Sequence, residues 1–492
     1  MLLSRGLSIL VVLLNWCGCQ AQNADVTSKP TGISKLVTYP VPSGLPTEST
    51  FDVRVRSPGR LWQTLGTYQV TVEEVNTTKG NSQTYGSSMT YFDFSGSVEI
   101  SVRYLLGPVS SVEIRPYSYG IVPSAVGNNV YEFTLSKPMN VVFQVNGDIF
   151  HVLNIFSNPI EKGPPNSDDP NVIYFGPGMH NVTGGVLYVN SSQTLYLAGG
   201  ATLASSIVFQ NATNAAIRGR GILYKPSSNA ITVAYGSNVT IEGITVVNTK
   251  YTSLLIGQST GITISNVRAF SATSYGDGID LYSTTNTVIE KVFMRTSDDC
   301  IAIYNHRNDW YGNSTNITIK DSSLWADVAH PINLATHGNA DDPETLSDLT
   351  ISNIDILDHR EPQMLYQGCI AINPGDENTV RDVLIEDIRV EDFRAGQLVN
   401  MRIMYNPKWN AAPGKLISNI TIRNLNYNGN HSTPSILTGY DETRRIEFIT
   451  FQNLTVNGQH IYDAMQKPSW YLTSDFVPMF ANEHVTNLTF LA

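Results

Sequence analysis

Cysteine is scarce in this chain, with 4 residues among 492. Two of them, Cys17 and Cys19, lie close to the N-terminus. The other two sit in similar apolar phrases, Cys300-Ile301-Ala302-Ile303 and Cys369-Ile370-Ala371-Ile372. No zinc-type spacing is present, and two buried free thiols are expected ahead of a disulfide. No metal or other cofactor is expected. Charge is also sparse, at 15% of residues, and its balance is acidic: 31 Lys and Arg against 42 Asp and Glu. With no basic stripe, nucleic acid is excluded as a partner. Long hydrophobic runs are missing except for Ile9 to Leu14, which is too short to span a bilayer. Residues 1–21, with Arg5 ahead of that run and small residues before Gln22, read as a secretion signal. No second candidate follows, so no membrane partner is expected, and the mature chain reads as a secreted, soluble monomer. Helical periodicity is nearly absent, which argues against leucine-rich and ankyrin repeats.

What the chain does have is short strands. Hydrophobic residues make up 41% of it, enough for a large core. From Phe51 to Phe156 apolar and polar residues alternate, as in Phe51-Asp52-Val53-Arg54-Val55 and Tyr131-Glu132-Phe133-Thr134-Leu135. That period of two, broken by Gly, Pro, Ser and Asn, predicts an antiparallel β-sandwich over residues 22–160. Residues 161–171, rich in Pro and polar residues, read as a linker. From residue 172 to 492 a phrase recurs: Val239-Thr240-Ile241, Ile262-Thr263-Ile264, Ile317-Thr318-Ile319, Leu349-Thr350-Ile351, Ile420-Thr421-Ile422, Ile449-Thr450-Phe451. Its spacing starts at 23 residues and lengthens towards the C-terminus. Repeats of this period, made of β-branched strands and Asn or Gly turns, predict a right-handed parallel β-helix. The sandwich is expected to cap its first edge, with Val172 to Phe175 as the first strand. Eleven N-glycosylation sequons, among them Asn181, Asn190, Asn238, Asn316, Asn419 and Asn453, agree with a secreted glycoprotein, although Asn and Thr are also structural residues of such turns.

Two aspartate clusters lie one repeat apart, Asp277-Gly278-Ile279-Asp280 and Asp298-Asp299. Asp-Gly and Ser-Asp are common in turns. Adjacent carboxylates entering the apolar strand Cys300 to Tyr304 do nothing for the fold, however, because they repel each other. In a solenoid both clusters reach the same side of neighbouring coils. Crowded carboxylates push one pKa up, so an acid and a base coexist, as glycosidic bond cleavage requires. Tyr282, Tyr304, Trp310 and Tyr311 are candidate sugar platforms. Trp325 suits a core as well as a cleft, and His306 and Arg307 read as solvated.

The two aspartate phrases, followed by His330-Pro331-Ile332-Asn333-Leu334-Ala335-Thr336-His337-Gly338, resemble the active-site pattern of family 28 polygalacturonases and family 49 dextranases, which share a clan. Fragments such as Gly176-Pro177-Gly178 and Gly219-Arg220-Gly221-Ile222-Leu223, and the sandwich-then-helix order, resemble family 49 across nearly the whole mature length. The resemblance implies an inverting hydrolase of a polysaccharide. Asp298 would be the general acid, Asp277 and Asp299 would hold and deprotonate the water, and Asp280 and His330 would bind sugar. A polygalacturonase Arg-x-Lys is missing from the matching strand, Gly368 to Ile372, with Arg402 a weak substitute. A neutral α-glucan of the dextran type is therefore the expected substrate. Asp280 stands where family 49 usually has glutamate, and His330 precedes proline where family 28 has glycine. The alternatives are a pectin hydrolase, a Ca²⁺-dependent lyase using Arg295 or Arg307, and a non-catalytic carbohydrate-binding solenoid. Stacked coils would set the carboxylates about 5 Å apart, a spacing otherwise associated with retention of configuration.

Overall fold

A computed structural model describes residues 34–76, 81–363, 365–366 and 368–492. The expected secretion signal, residues 1–21, lies outside the described residues. The described part is nearly all β, and its larger portion is a parallel β-helix, as the repeats predict.

The N-terminal portion holds a six-stranded and a five-stranded sheet packed face to face. Alternation works as expected: Phe51, Val53 and Val55 are buried, while Asp52, Arg54 and Arg56 point away. Their partners across the gap include Phe92, Phe94, Phe143 and Ile155. One pairing breaks the antiparallel pattern: Leu153–Pro159 runs parallel to Asn81–Ser95.

From Val172 onward each coil contributes one short strand to an 11-stranded parallel sheet and one or two strands to a second, larger sheet. The recurring sequence phrase is the register of that larger sheet. Ile241, Ile264, Ile289, Ile319, Ile351, Ile385, Ile422 and Phe451 stack in succession inside the coil. Threonine occupies most of the outward positions beside them. Burying this ladder is what holds the solenoid together, at roughly 25 cal/mol per Å² of apolar surface. From Ser314 onward two faces of each coil fuse into long strands such as Ser314–Ala326 and Thr345–Asp358.

Coil corners explain many of the asparagines. Asn238, Asn316, Asn419 and Asn453 all take positive φ, which asparagine tolerates better than most residues. Their side-chain amides donate to Asn214, Asn286, Asp382 and Asn424 respectively. These four sequon asparagines therefore have a structural role on the ladder. Cys300 and Cys369 are buried and unbridged. One coil separates them, so their separation of about two 4.8 Å steps exceeds the reach of a disulfide.

The sandwich does not sit over the first edge of the helix. It lies along the side, where Val70, Val72, Met89, Val142 and Phe156 cover Phe270, Phe293, Trp325 and Leu357. These large residues project outward from consecutive coils and need an apolar cover. Trp325 belongs to this interface and not to a cleft. Its ring lies 4.0 Å from the Arg295 guanidinium and 4.5 Å from that of Arg115. Arg295 is fully buried and forms a two-pronged pair with Asp327, at 3.0 and 3.2 Å. It also donates to Ile149 O of the sandwich. Arg394 joins Asp327 to Asp358. This ionic cluster ties the sandwich to the coils that carry the aspartates.

Candidate active site

The site forms on the 11-stranded sheet. Ile279–Tyr282 pairs in parallel with Ile301–Tyr304, which sets Asp280 beside Ala302 and Tyr282 beside Tyr304. Just ahead of these strands Gly278 N donates to Asp299 O at 2.8 Å, so Asp277 lies against Asp299 across one coil step. Glycine is required there, because a Cβ on Gly278 would fall 2.3 Å from Cys300 O. The result is a cluster in which one carboxylate oxygen from each of Asp277, Asp298 and Asp299 lies within 4.8 Å of the others.

The three carboxyls have different surroundings. Asp299 is held by His330 Nδ1 at 2.7 Å, the His330 backbone N at 3.1 Å, Asn333 Nδ2 at 2.7 Å and the Tyr304 hydroxyl at 3.2 Å. Burial by itself would raise its pKa. The His330 charge and these donors outweigh that and bring Asp299 below the usual carboxylate range. His330 Nε2 faces Tyr366 O at 2.6 Å, so both ring nitrogens point at acceptors. That geometry suits an imidazolium paired with an ionised Asp299. Although burial opposes it, the pairing with Asp299 lifts His330 to about 9. Asp298 has less support: its Oδ1 accepts from the Asp299 backbone N at 3.1 Å, and the His330 charge also favours its ionised form. Burial and the neighbouring Asp299 charge push it up to about 8. Asp277 is raised well above its ordinary value by burial and by the other three aspartates.

Asp277, Asp298 and Asp299 line a cavity of about 480 Å³, whose floor includes Tyr282 and Tyr304. These two rings stack 5.6 Å apart at an interplanar angle of 10°. The structure thus brings together five of the sequence-predicted residues and separates the other four from the cavity. Asp280 is buried below it, bonded to Thr252 Oγ1 and the Tyr282 hydroxyl at 2.9 Å each. Burial raises it to about 7. It supports Tyr282 from beneath and cannot reach a sugar. His330 is likewise sealed beneath Asp299, so it positions a carboxylate and binds no substrate. Trp310 packs on Tyr282 and Gly257 from behind. Tyr311 is 51% exposed and stacks on His306, at 3.9 Å, outside the cavity.

Sequence reasoning also missed cavity residues. Arg307, read as solvated, lies 5.9 and 5.7 Å from the Tyr282 and Tyr304 ring centres. Glu361, Tyr366, Lys408 and Trp409 come from long loops that follow no repeat. The one available signal was the lengthening of the late coils, which the Arg402 strand and those loops share. His337, already present in the quoted block, stands edge-on to Tyr304 at 5.0 Å. Burial lowers its pKa to about 3, so it is neutral. Arg307, Arg402 and Lys408 line the cavity with no carboxylate within ion-pair distance among the described residues, Arg402 donating to Leu365 O at 2.7 Å.

Residues 218–465, just over half of the chain, match the profile of glycosyl hydrolases family 28. A polygalacturonase of Chamaecyparis obtusa is 30% identical over 131 residues, 26% of this chain and 24% of that protein. One from Juniperus ashei is 27% identical over 136 residues, 27% of this chain and 25% of that protein. The chain spans about a quarter of the length of these curated relatives. Dex49A from Penicillium minioluteum shares the fold, with a TM-score of 0.64, 14% identity, and coverage of 92% of this chain and 96% of that one.

Proposed function

Because the chain belongs to glycosyl hydrolases family 28, we propose that it hydrolyses glycosidic bonds of a polysaccharide by general acid–base catalysis at Asp298 and Asp299. One observation carries this reading. A carboxyl that keeps its proton up to about pH 8 lies within 4.8 Å of one kept ionised by a buried imidazolium. Asp298 gives its proton to the leaving oxygen. Asp299, with Asp277 beside it, orients the water and takes its proton. The oxygen spacing is close to the roughly 5 Å of retaining enzymes. Yet both Asp299 oxygens are already engaged, Oδ1 by His330 and Oδ2 by Asn333 and Tyr304. Fixed on both oxygens, Asp299 is held to receive a proton from water and is not free to swing onto the sugar carbon, which goes with inversion. Secretion as a monomer goes with this reading, since a polymer must be met outside the cell. Among the described residues no helix is long and apolar enough to cross a membrane.

The pH profile follows from the same groups. Activity falls on the alkaline side as Asp298 loses its proton near pH 8, and on the acid side only where Asp299 is protonated, below its ordinary range. In His330→Ala the cation that depresses Asp299 is gone and burial dominates. The acid limb of kcat/KM is then expected to move up by about one to three pH units. An unmoved acid limb would show that His330 does not set the ionisation of Asp299.

The three unpaired cations favour a polymer that bears carboxylates, a pectin-type galacturonan. A neutral α-glucan is the second reading, favoured by Trp409 and the Tyr282–Tyr304 stack, since aromatic rings pack on sugar C–H faces. Polygalacturonate and dextran assayed side by side decide between them. On the first reading Arg402→Ala raises KM for polygalacturonate by about tenfold or more, the worth of one charge-assisted bond. Equal KM values in variant and wild type would remove Arg402 from substrate binding.

A further inference from the structure

The outer face of the 11-stranded sheet is not an open groove. Along each strand inward side chains such as Ile332, Leu334, Ile370 and Ile372 alternate with outward ones. The outward residues Asn333, Ala371, Asn373 and Asn400 are nevertheless fully buried. Further along the same face Phe480 is 59% exposed, and Gln210 is exposed at the other end. The face is bare at its two ends and roofed between them.

The roof has identifiable fastenings. On the C-terminal side of the aspartates, Tyr366 O accepts from His330 Nε2, and Leu365 O accepts from Arg402 Nη1 at 2.7 Å. Arg402 and Leu365 come from opposite ends of the strands, so this bond bridges the face. Met404 N donates to Pro374 O and Asn410 Nδ2 to Thr336 O, which fold a second loop back over earlier coils. On the N-terminal side the Trp310 ring lies on Gly257, where an added Cβ would meet it at 2.1 Å. Tyr311 N donates to Gln258 Oε1, and Tyr235 donates its hydroxyl to Asp309 O, which pin that loop down. The aspartates therefore open into a pocket of about 480 Å³ that is bounded along the sheet by Tyr282, backed by Trp310, on one side and by the Arg402–Leu365 bond on the other, a volume within the roughly 300–1,000 Å³ of small-ligand sites.

We infer that this site accepts only the end of a polysaccharide chain and releases short products from it. This exo mode rests on the hydrolase reading and adds to it. A polymer lying along the sheet would have to cross Trp310 or pass the Arg402–Leu365 bridge. A chain terminus enters the mouth directly and fills the space between Tyr282 and the Arg402–Leu365 bond.

Product chromatography and viscometry of the full-length protein on whichever polymer it cleaves form the test. A single short product from the earliest time point is expected, with viscosity falling slowly against bonds broken. Trp310→Ala takes away the ring that backs Tyr282 and covers Gly257 on the N-terminal side, and is expected to shift products towards longer oligosaccharides. Asp298→Asn protein, titrated with oligosaccharides of increasing length, is expected to show affinity that stops rising once the pocket is full. A ladder of oligosaccharides from wild type with rapid loss of viscosity, or affinity that keeps rising with length, overturns the exo mode and leaves the hydrolase reading intact. No new reducing ends on any polymer would remove both.

Discussion

Asp298→Asn is expected to lower kcat by about 10³-fold, within the roughly 10²–10⁴-fold that a positioned proton donor contributes. Asparagine keeps the shape of the side chain and cannot supply the proton. KM should change little, because the acid is needed only when the leaving oxygen departs. The fold should survive, since the carboxyl of Asp298 makes no ion pair with any described residue, and losing a like charge beside Asp299 relieves repulsion. Reducing-sugar release, compared with a melting curve on the same protein, makes the measurement. A loss below tenfold with an intact fold would take the acid's role away from Asp298.

The second large effect is on stability. Arg295→Ala is expected to cost about 3 kcal/mol or more in denaturant unfolding. The guanidinium is fully buried, and its loss leaves Asp327 with only Arg394 as a cation among the described residues. The bond to Ile149 O and the contact with Trp325 go with it, so the sandwich also loses a fastening. The exposed pair Arg54–Asp52, at 2.9 Å, provides the contrast. Breaking that pair should cost no more than about 1 kcal/mol, because water and salt screen it. Equal costs for the two substitutions would mean that the buried cluster does not hold the sandwich to the coils.

Legibility in the sequence followed periodicity. Ile262-Thr263-Ile264 and its copies were visible because a parallel register repeats each inward position once per coil. Asp277, Asp298 and Asp299 were visible because carboxylates beside apolar strands have no structural reason to be there. The neighbours of those aspartates were harder to read. Asp280 and His330 carry groups suited to binding sugar, yet both are buried, and what they touch is a tyrosine and a carboxylate. Trp310 and Tyr311 are aromatic and so suit a sugar platform, and only the folding of their loop back onto Gly257 and Gln258 shows that they stand behind the cavity. The side-on docking of the sandwich was illegible for a similar reason, because Phe270, Phe293 and Trp325 look like any other apolar residues of a repeat.

The sequence by itself determined the coiled architecture and the meeting of the acidic clusters, because both follow from a period that each coil enforces on the next. Only the tertiary structure decided which aspartate is ionised, which cations face the cavity and where the channel ends. Those properties depend on distances between loops that share no repeat, and electrostatics and steric closure act through such distances whatever the order of residues along the chain.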